Sequence, residues 1–366
     1  MTTGMRADVG VVISASHNPY IDNGIKLFGA DGYKLADDFE AQLEQWIGDD
    51  DAIRASLASG ANIGRAFRFE DARGRYIVFL KQTFPSDLTL DGLKIAVDCA
   101  NGAAYRVAPA VFEELGAEVI PIGTSPNGVN INEGCGALHP EALAKVVTEN
   151  GCDMGIALDG DADRLILVDE KGRIVDGDAV LAICATRMAR QGLLSRNTLV
   201  VTVMSNYGLE MAMRDHGIRL LRTDVGDRYV VEAMRKGGYD LGGEQSGHIL
   251  FLRHSTTGDG ILAALQVLGH AVREGRPLSH LAGVMQAAPQ QLINLTVREK
   301  PALSSLPDVA REIVRAEQEL EGTGRVLVRY SGTESKCRVM VEGQDASAVD
   351  AHARRIAETI EAAIGA

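Results

Sequence analysis

Apolar residues in this chain come in short uninterrupted runs separated by longer amphipathic stretches. Residues 93–98, 117–120 and 198–203 have the length and aliphatic content of buried strands. The spacing of apolar positions predicts helices over residues 106–115, 141–150, 176–189, 208–216 and 227–236. Strand–helix alternation of this kind predicts α/β domains with largely parallel sheets. Near residue 287 the pattern changes to a helix over 306–320, strand-like runs either side of 329–334, and a closing amphipathic helix over 345–364. That tail reads as an α+β domain. The pattern alone gives several α/β units followed by this α+β tail.

Several apolar runs end in loops that carry chemistry. Val11-Val12-Ile13 runs into Ser14-Ala15-Ser16-His17-Asn18-Pro19, where Asn-Pro forces a turn and leaves Ser16 at a strand end. A lone turn serine usually caps its own backbone. With His17 beside it and Lys26 further on, Ser16 can instead carry a phosphoryl group, because cations stabilise the dianion. Ser14 is expected to point to the opposite face of the strand, and the strand over 9–13 to lie in a parallel sheet covered on both faces.

The run 154–158 ends in Asp159-Gly160-Asp161-Ala162-Asp163-Arg164, and 165–168 leads away from it. Three carboxylates at alternate positions, separated by small residues, can converge on one point. Unpaired, they would repel one another, so the pattern favours a hard divalent cation, Mg²⁺ in particular, over an ordinary acidic surface turn. Arg164 can neutralise a nearby phosphate. Gly242-Gly243-Glu244-Gln245-Ser246-Gly247-His248 sets a carboxylate and a hydroxyl two residues apart, suited to adjacent sugar hydroxyls. Arg329-Tyr330-Ser331-Gly332-Thr333-Glu334 offers a guanidinium fork, hydroxyls and a glycine-flanked backbone, with Arg338 close by, as a phosphate cradle. Arg228, in Val225-Gly226-Asp227-Arg228, reads equally as a site residue or as part of a helix start.

These four motifs, in this order, resemble the α-D-phosphohexomutase superfamily, and their wording is similar to its phosphoglucosamine mutase family. Cys99-Ala100-Asn101-Gly102-Ala103 and residues 126–132 (PNGVNIN) add to the resemblance, which runs from about Met5 to the C-terminus. Ala162 stands where a glycine is frequent. The resemblance implies three α/β domains (1–68, 69–172 and 173–287) and a C-terminal α+β domain (288–366) around a central cleft, the first domain lacking a front segment with an FGTDGIRG-like motif. The expected consequences are exposed apolar surface and little activity; an inactive truncated mutase acting as a binding module is the alternative outside catalysis, and a glucose or mannose phosphate mutase the alternative within it. It also implies phosphoserine at Ser16, one Mg²⁺ held by Ser16, Asp159, Asp161 and Asp163, and catalytic roles for Ser16, His17, Lys26 and Arg164, with proton transfer open between His17 and Lys26. Substrate contacts fall to Glu244, Ser246, His248, Arg329, Ser331, Gly332, Thr333 and Arg338. The implied reaction interconverts glucosamine 6-phosphate and glucosamine 1-phosphate through a 1,6-bisphosphate, supplying a cell-wall precursor.

Composition narrows the partners. A net charge of −13 disfavours nucleic acid, and it requires a local positive pocket to draw in an anionic sugar phosphate. No apolar run reaches the length of a membrane span. The five cysteines lack a C-x-x-C pair, which argues for reduced thiols and a cytoplasmic setting. A monomer or homodimer is expected.

Overall fold

All four motif loops join strands that run antiparallel, and the shortness of the loops is the reason. The computed structural model describes residues 1–332 and 334–366, with the backbone alone at Asp37. Its strands are β1 (Val9–Ser14), β2 (Gly24–Gly29), β3 (Lys94–Asp98), β4 (Glu118–Ile122), β5 (Met154–Leu158), β6 (Leu165–Asp169), β7 (Ile174–Val175), β8 (Thr198–Thr202), β9 (Arg219–Thr223), β10 (Leu241–Gly243), β11 (Ile249–Phe251), β12 (Gln290–Thr296), β13 (Gly324–Tyr330) and β14 (Lys336–Gly343). The Ser16 loop joins β1 to β2, the acidic loop β5 to β6, the Glu244 loop β10 to β11, and the Ser331 loop β13 to β14. Each pair is antiparallel. A parallel crossover takes roughly a dozen residues or more, and these connections are shorter.

Two expectations are corrected by this. The sheets are mixed, not largely parallel: in the five-stranded sheet β4-β3-β5-β6-β7, β3 is parallel to β4 and β5, while β5–β6 and β6–β7 are antiparallel. In the sheet β11-β10-β8-β9, β10 is parallel to β8 and antiparallel to β11. β1 does not lie in a parallel sheet; among the described residues it pairs only with β2, in a two-stranded antiparallel sheet. That sheet exposes its apolar side chains, with Val11 60%, Ile13 74% and Ile25 69% accessible.

The chain falls into two units, residues 1–203 with 221–283, and residues 204–220 with 284–366. In the first, β5 and β6 are buried along their whole length, as continuous apolar strands must be when both faces are covered. Leu143, Val147, Ala157, Ile166 and Val168 form part of that core. Two helices that flank the site are capped by aspartates: Asp176 accepts from Ala179 N, and Asp259 Oδ1 accepts from Leu262 N at 2.9 Å.

The second unit is an antiparallel sheet in the order β12-β14-β13 with helices Pro307–Glu319 and Ala346–Ile364 packed on it. β12, on the edge, alternates exposed and half-buried positions, while central β14 is mostly buried. Glu342 of β14 is fully buried and receives Arg325 Nε at 2.6 Å. Arg325 Nη2 donates to Ser205 O at 2.8 Å, and Asn206 Nδ2 to Glu342 Oε1 at 3.2 Å, tying residues 205–206 to the sheet.

Candidate active site

Ser14 binds the β1–β2 hairpin to the acidic loop. Ser14 Oγ donates to Asp161 Oδ2 at 2.8 Å and accepts from Ser16 N at 2.8 Å. The expectation that Ser14 faces away is therefore wrong: its hydroxyl points to the acidic loop and holds the Ser16 N–H. Ser16 itself leaves the strand in the left-handed region, at φ 52°. Its Oγ lies 3.4 Å from His17 Nδ1. Burial and the charge of Arg164 lower the His17 pKa.

The acidic loop brings its three carboxylates together. Asp159, Asp161 and Asp163 each offer an oxygen within 4.8 Å of the others. Asp159 is fully buried, and its Oδ1 accepts from Arg164 N at 3.1 Å. Ala162 takes φ 62°, the turn that a glycine would make without strain. Lys26 Nζ from β2 donates to Asp161 Oδ2 at 2.7 Å and to Asp163 Oδ2 at 3.2 Å. Asp159 Oδ2 and Asp161 Oδ1 are buried without a hydrogen bond among the described residues, and Asp163 Oδ1, likewise buried without a hydrogen bond, has only the longer 3.5 Å approach of His248 Nδ1. Three converging carboxylates with unbonded buried oxygens fit a hard divalent cation.

Charge in the loop is uneven. Burial, then the Asp163 and Asp161 carboxylates, push Asp159 up to about 7. Burial also works against ionised Asp163, but His248 and Lys26 outweigh it and hold its carboxyl below the usual range. Burial opposes the Lys26 ammonium too; Asp163 and Asp161 overcome this and raise its pKa.

The Glu244 loop is stitched to the acidic loop within the same unit. Leu165 N donates to Gly247 O at 2.9 Å, and Arg164 bridges His248 in antiparallel fashion. His248 is only 4% exposed, with Nδ1 3.5 Å from Asp163 Oδ1. It is thus a neighbour of the acidic loop, whereas sequence grouped it with the sugar contacts. Glu244 Oε1 accepts from Gly226 N at 3.2 Å, and Ser246 Oγ donates to Glu244 Oε2 at 3.5 Å. The Gly226 loop that contains Arg228 therefore abuts Glu244, and Asp227 opens the helix Asp227–Gly237.

In the second unit, Ser331 is buried inside its own turn. Ser331 Oγ accepts from Glu334 N at 3.2 Å, and Ser331 O accepts from Lys300 Nζ at 2.6 Å. Arg329 and Arg338 face each other across β13 and β14, and Arg338 Nη2 donates to Glu334 Oε2 at 3.1 Å. Gly332 has open space where a side chain would be. Thr333 lies outside the described residues.

Sequence reasoning gave no site contact to Asn132 or Lys300 and read Gly160 only as a small spacer. Asn132 Nδ2 donates to Ser16 O and to Asn18 O, each at 2.8 Å. Gly160 packs so close that a Cβ would stand 2.4 Å from Ser16 O. Lys300 adds a cation beside the Ser331 loop. The motifs containing Asn101 and Asn132 were visible as phrases, and the structure gives them a place: Asn132 N donates to Ala100 O at 2.9 Å, and Ala103 N to Gly160 O at 2.8 Å.

Comparison with known proteins agrees with this geometry. Models of the phosphoglucomutase/phosphomannomutase family match as alpha/beta/alpha domain I over residues 1–54, domain II over 74–172, domain III over 176–288 and the C-terminal domain over 292–359. The chain is 58% identical over 365 residues to a phosphoglucosamine mutase of Syntrophotalea carbinolica, covering all of this chain and 80% of that one. It is 58% identical over 366 residues to a phosphoglucosamine mutase of Myxococcus xanthus, covering all of this chain and 79% of that one. The fold is similar to that of an N-acetylphosphoglucosamine mutase of Aspergillus fumigatus solved with GlcNAc-6P and magnesium, at a TM-score of 0.73 and 20% identity, over 97% of this chain and 89% of that one. With four family domains in order and this identity along its whole length, the chain belongs to the phosphoglucosamine mutase family.

Proposed function

We infer that the chain interconverts glucosamine 6-phosphate and glucosamine 1-phosphate by phosphoryl transfer without net hydrolysis. The observation that carries this reading is the junction of two loops: Ser14 and Lys26 of the hairpin bearing Ser16 both donate to Asp161. A phosphate carrier and a cation-binding loop are thereby held together. Phosphorylated Ser16 gives its phosphoryl group to the sugar 1-hydroxyl, forming a P–O bond to O1 as the bond to Oγ breaks. The resulting 1,6-bisphosphate turns around, and its 6-phosphoryl group returns to Ser16 Oγ.

His17 is the group nearest the travelling proton, with Nδ1 3.4 Å from Ser16 Oγ. Lys26 is committed to two carboxylates and supplies fixed positive charge. Arg164 balances phosphate charge. Asp159, Asp161 and Asp163 would hold Mg²⁺, which when bound neutralises charge on the Ser16 phosphate. Glu244 and Ser246 would grip sugar hydroxyls in either orientation, with His248 steadying Asp163. Arg329, Ser331, Gly332, Thr333 and Arg338 would hold the phosphate that is not reacting. A clamp that reads phosphate alone serves both halves of the cycle.

No helix is long and apolar enough to cross a membrane among the described residues. We place the activity in the cytoplasm, where sugar phosphates are handled, and in a monomer or homodimer. The divisions 1–68, 69–172, 173–287 and 288–366 are proposed as its domains. The test is product formation from glucosamine 6-phosphate beside glucose 6-phosphate, with free phosphate measured and intact mass mapped to Ser16. Turnover of glucosamine 6-phosphate that disappears in Ser16→Ala supports the reading. Preference for glucose 6-phosphate, release of free phosphate, or a phosphate on Ser14 overturns it.

A further inference from the structure

Ser16 is the residue on which the proposed cycle turns, yet its backbone sits where a side chain is disfavoured. A non-glycine residue at φ 52° persists only when its surroundings fix it. The surroundings here act on both sides of the residue. Its N–H is held by Ser14 Oγ at 2.8 Å. Its carbonyl accepts from Asn132 Nδ2 at 2.8 Å, and the same nitrogen reaches Asn18 O at 2.8 Å. Both acceptors are carbonyl oxygens, so the amide must present its NH₂ group, using both protons.

Asn132 is itself well anchored. It is 8% exposed, takes φ 60°, a left-handed turn that asparagine tolerates, and donates its own N–H to Ala100 O at 2.9 Å. Gly160, between the first two carboxylates of the acidic loop, closes on the same point. A Cβ there would stand 2.4 Å from Ser16 O and 2.9 Å from Asn132 Nδ2. The Ser16 carbonyl, the Asn132 amide and the acidic-loop backbone therefore meet in one packed contact.

We propose that Asn132 is a positioning residue for phosphoryl transfer: by clamping the carbonyls of Ser16 and Asn18 it holds the Ser16 hydroxyl in one orientation beside the acidic loop. The proposal rests on Ser16 being the phosphoryl carrier. It adds that the carrier loop is aimed by a side chain from a distant stretch of sequence, whose two amide protons are spent on the loop's own carbonyls. A misplacement of about 1 Å at a reacting atom costs about 100-fold in rate, so the effect belongs in kcat.

The test uses Asn132→Ala and Asn132→Asp in the full chain. Aspartate keeps the size and tolerates the left-handed turn, but it turns an oxygen toward both carbonyls. Both variants are assayed with glucosamine 6-phosphate and glucose 6-phosphate, and hydrogen exchange is followed across the molecule. The expected result is a kcat lower by about 10- to 100-fold with KM within about threefold, and faster exchange confined to residues 14–20. Unchanged kcat, a change in KM alone, or faster exchange throughout β5 and β6 overturns the proposal. If Asn132→Ala does not fold, Asn132→Asp decides. If the unaltered chain prefers glucose 6-phosphate, the glucosamine reading fails and the comparison runs on that sugar. If neither sugar turns over, unchanged protection of residues 14–20 in Asn132→Asp overturns the clamp, and selective loss of protection upholds it.

Discussion

The Lys26 ammonium lies 2.7 Å from Asp161 Oδ2, which ties the second strand of the Ser16 hairpin to the middle carboxylate of the acidic loop. Lys26 also reaches Asp163 Oδ2 at 3.2 Å, so one cation offsets two of the three negative charges. Its raised pKa keeps it charged: the pairing contributes fully below the ordinary lysine value and is lost only as pH rises through the higher folded value. We predict that Lys26→Met lowers kcat by about 100- to 1,000-fold, the typical effect of removing one fixed donor from developing charge. The same variant binds Mg²⁺ as tightly as the unaltered chain or more so, because a competing cation has gone. Asp161→Asn does the reverse and weakens Mg²⁺. Calorimetry beside steady-state kinetics separates the two; weaker Mg²⁺ binding in Lys26→Met contradicts this assignment.

Gly160 is required by close approach. A Cβ there would meet Ser16 O at 2.4 Å, Ile131 Cδ1 at 2.7 Å and Asn132 Nδ2 at 2.9 Å. Two of these three belong to firmly held groups, so the acidic loop must move instead. Gly160→Ala is expected to cost about 1–3 kcal/mol in stability, the range for overpacking, and to lower turnover by about 100-fold through displacement of the reacting groups. Urea unfolding and kcat together provide the check. An alanine variant with native turnover means that the two loops need not touch.

What was legible in the sequence follows from what sequence encodes locally. The strand expected over 93–98 is Lys94–Asp98, and the helix expected over 141–150 is Pro140–Asn150. Burial writes such elements into runs and periods. Strand direction is not written there, since in–out alternation is the same in parallel and antiparallel sheets. The lengths of the connections held that information, and they explain why β1–β2 and β5–β6 are hairpins. The motif residues were legible as chemistry, because carboxylates at alternate positions or a serine beside a histidine are unusual locally. Ser14 and Asn132 were not, because their partners lie 147 and 116 residues away in the chain. Nothing near them in sequence signals the bond.

The five thiols provide a check on the reduced state expected from their spacing. All five are free; burial first of all pushes Cys99 and Cys184 up to about 12 and Cys135 up to about 11. The thiolate is the reactive form, so at about pH 8 almost none is present at these positions. Cys99, Cys135 and Cys184 should escape iodoacetamide in the native chain over a time that labels all five in urea, and the mass should not change on reduction. Rapid native labelling of Cys184, or a loss of thiols before reduction, contradicts this picture.

Tyr76 donates its hydroxyl to Asp259 Oδ2 at 2.6 Å, while Asp259 Oδ1 caps the helix Gly260–Glu274 through Leu262 N. That helix start reaches the acidic loop, because Gly260 N donates to Ala162 O at 2.8 Å. Burial raises the Asp259 pKa, and the bonds from Leu262 N and Tyr76 partly oppose the rise. For an acid whose folded pKa is raised, the folded chain holds the proton longer than the unfolded one. Stability therefore falls as pH climbs from the ordinary carboxyl value to the folded value, and levels off above it. Tyr76→Phe removes one donor to the ionised form, so it raises the Asp259 pKa further and widens that window. The expected cost is about 0.5–1.5 kcal/mol where the carboxyl is neutral and about 1.5–3 kcal/mol where it is charged. Urea unfolding of both chains between about pH 4 and pH 8 measures the difference, which must grow with pH. A constant difference means that Tyr76 contributes packing alone.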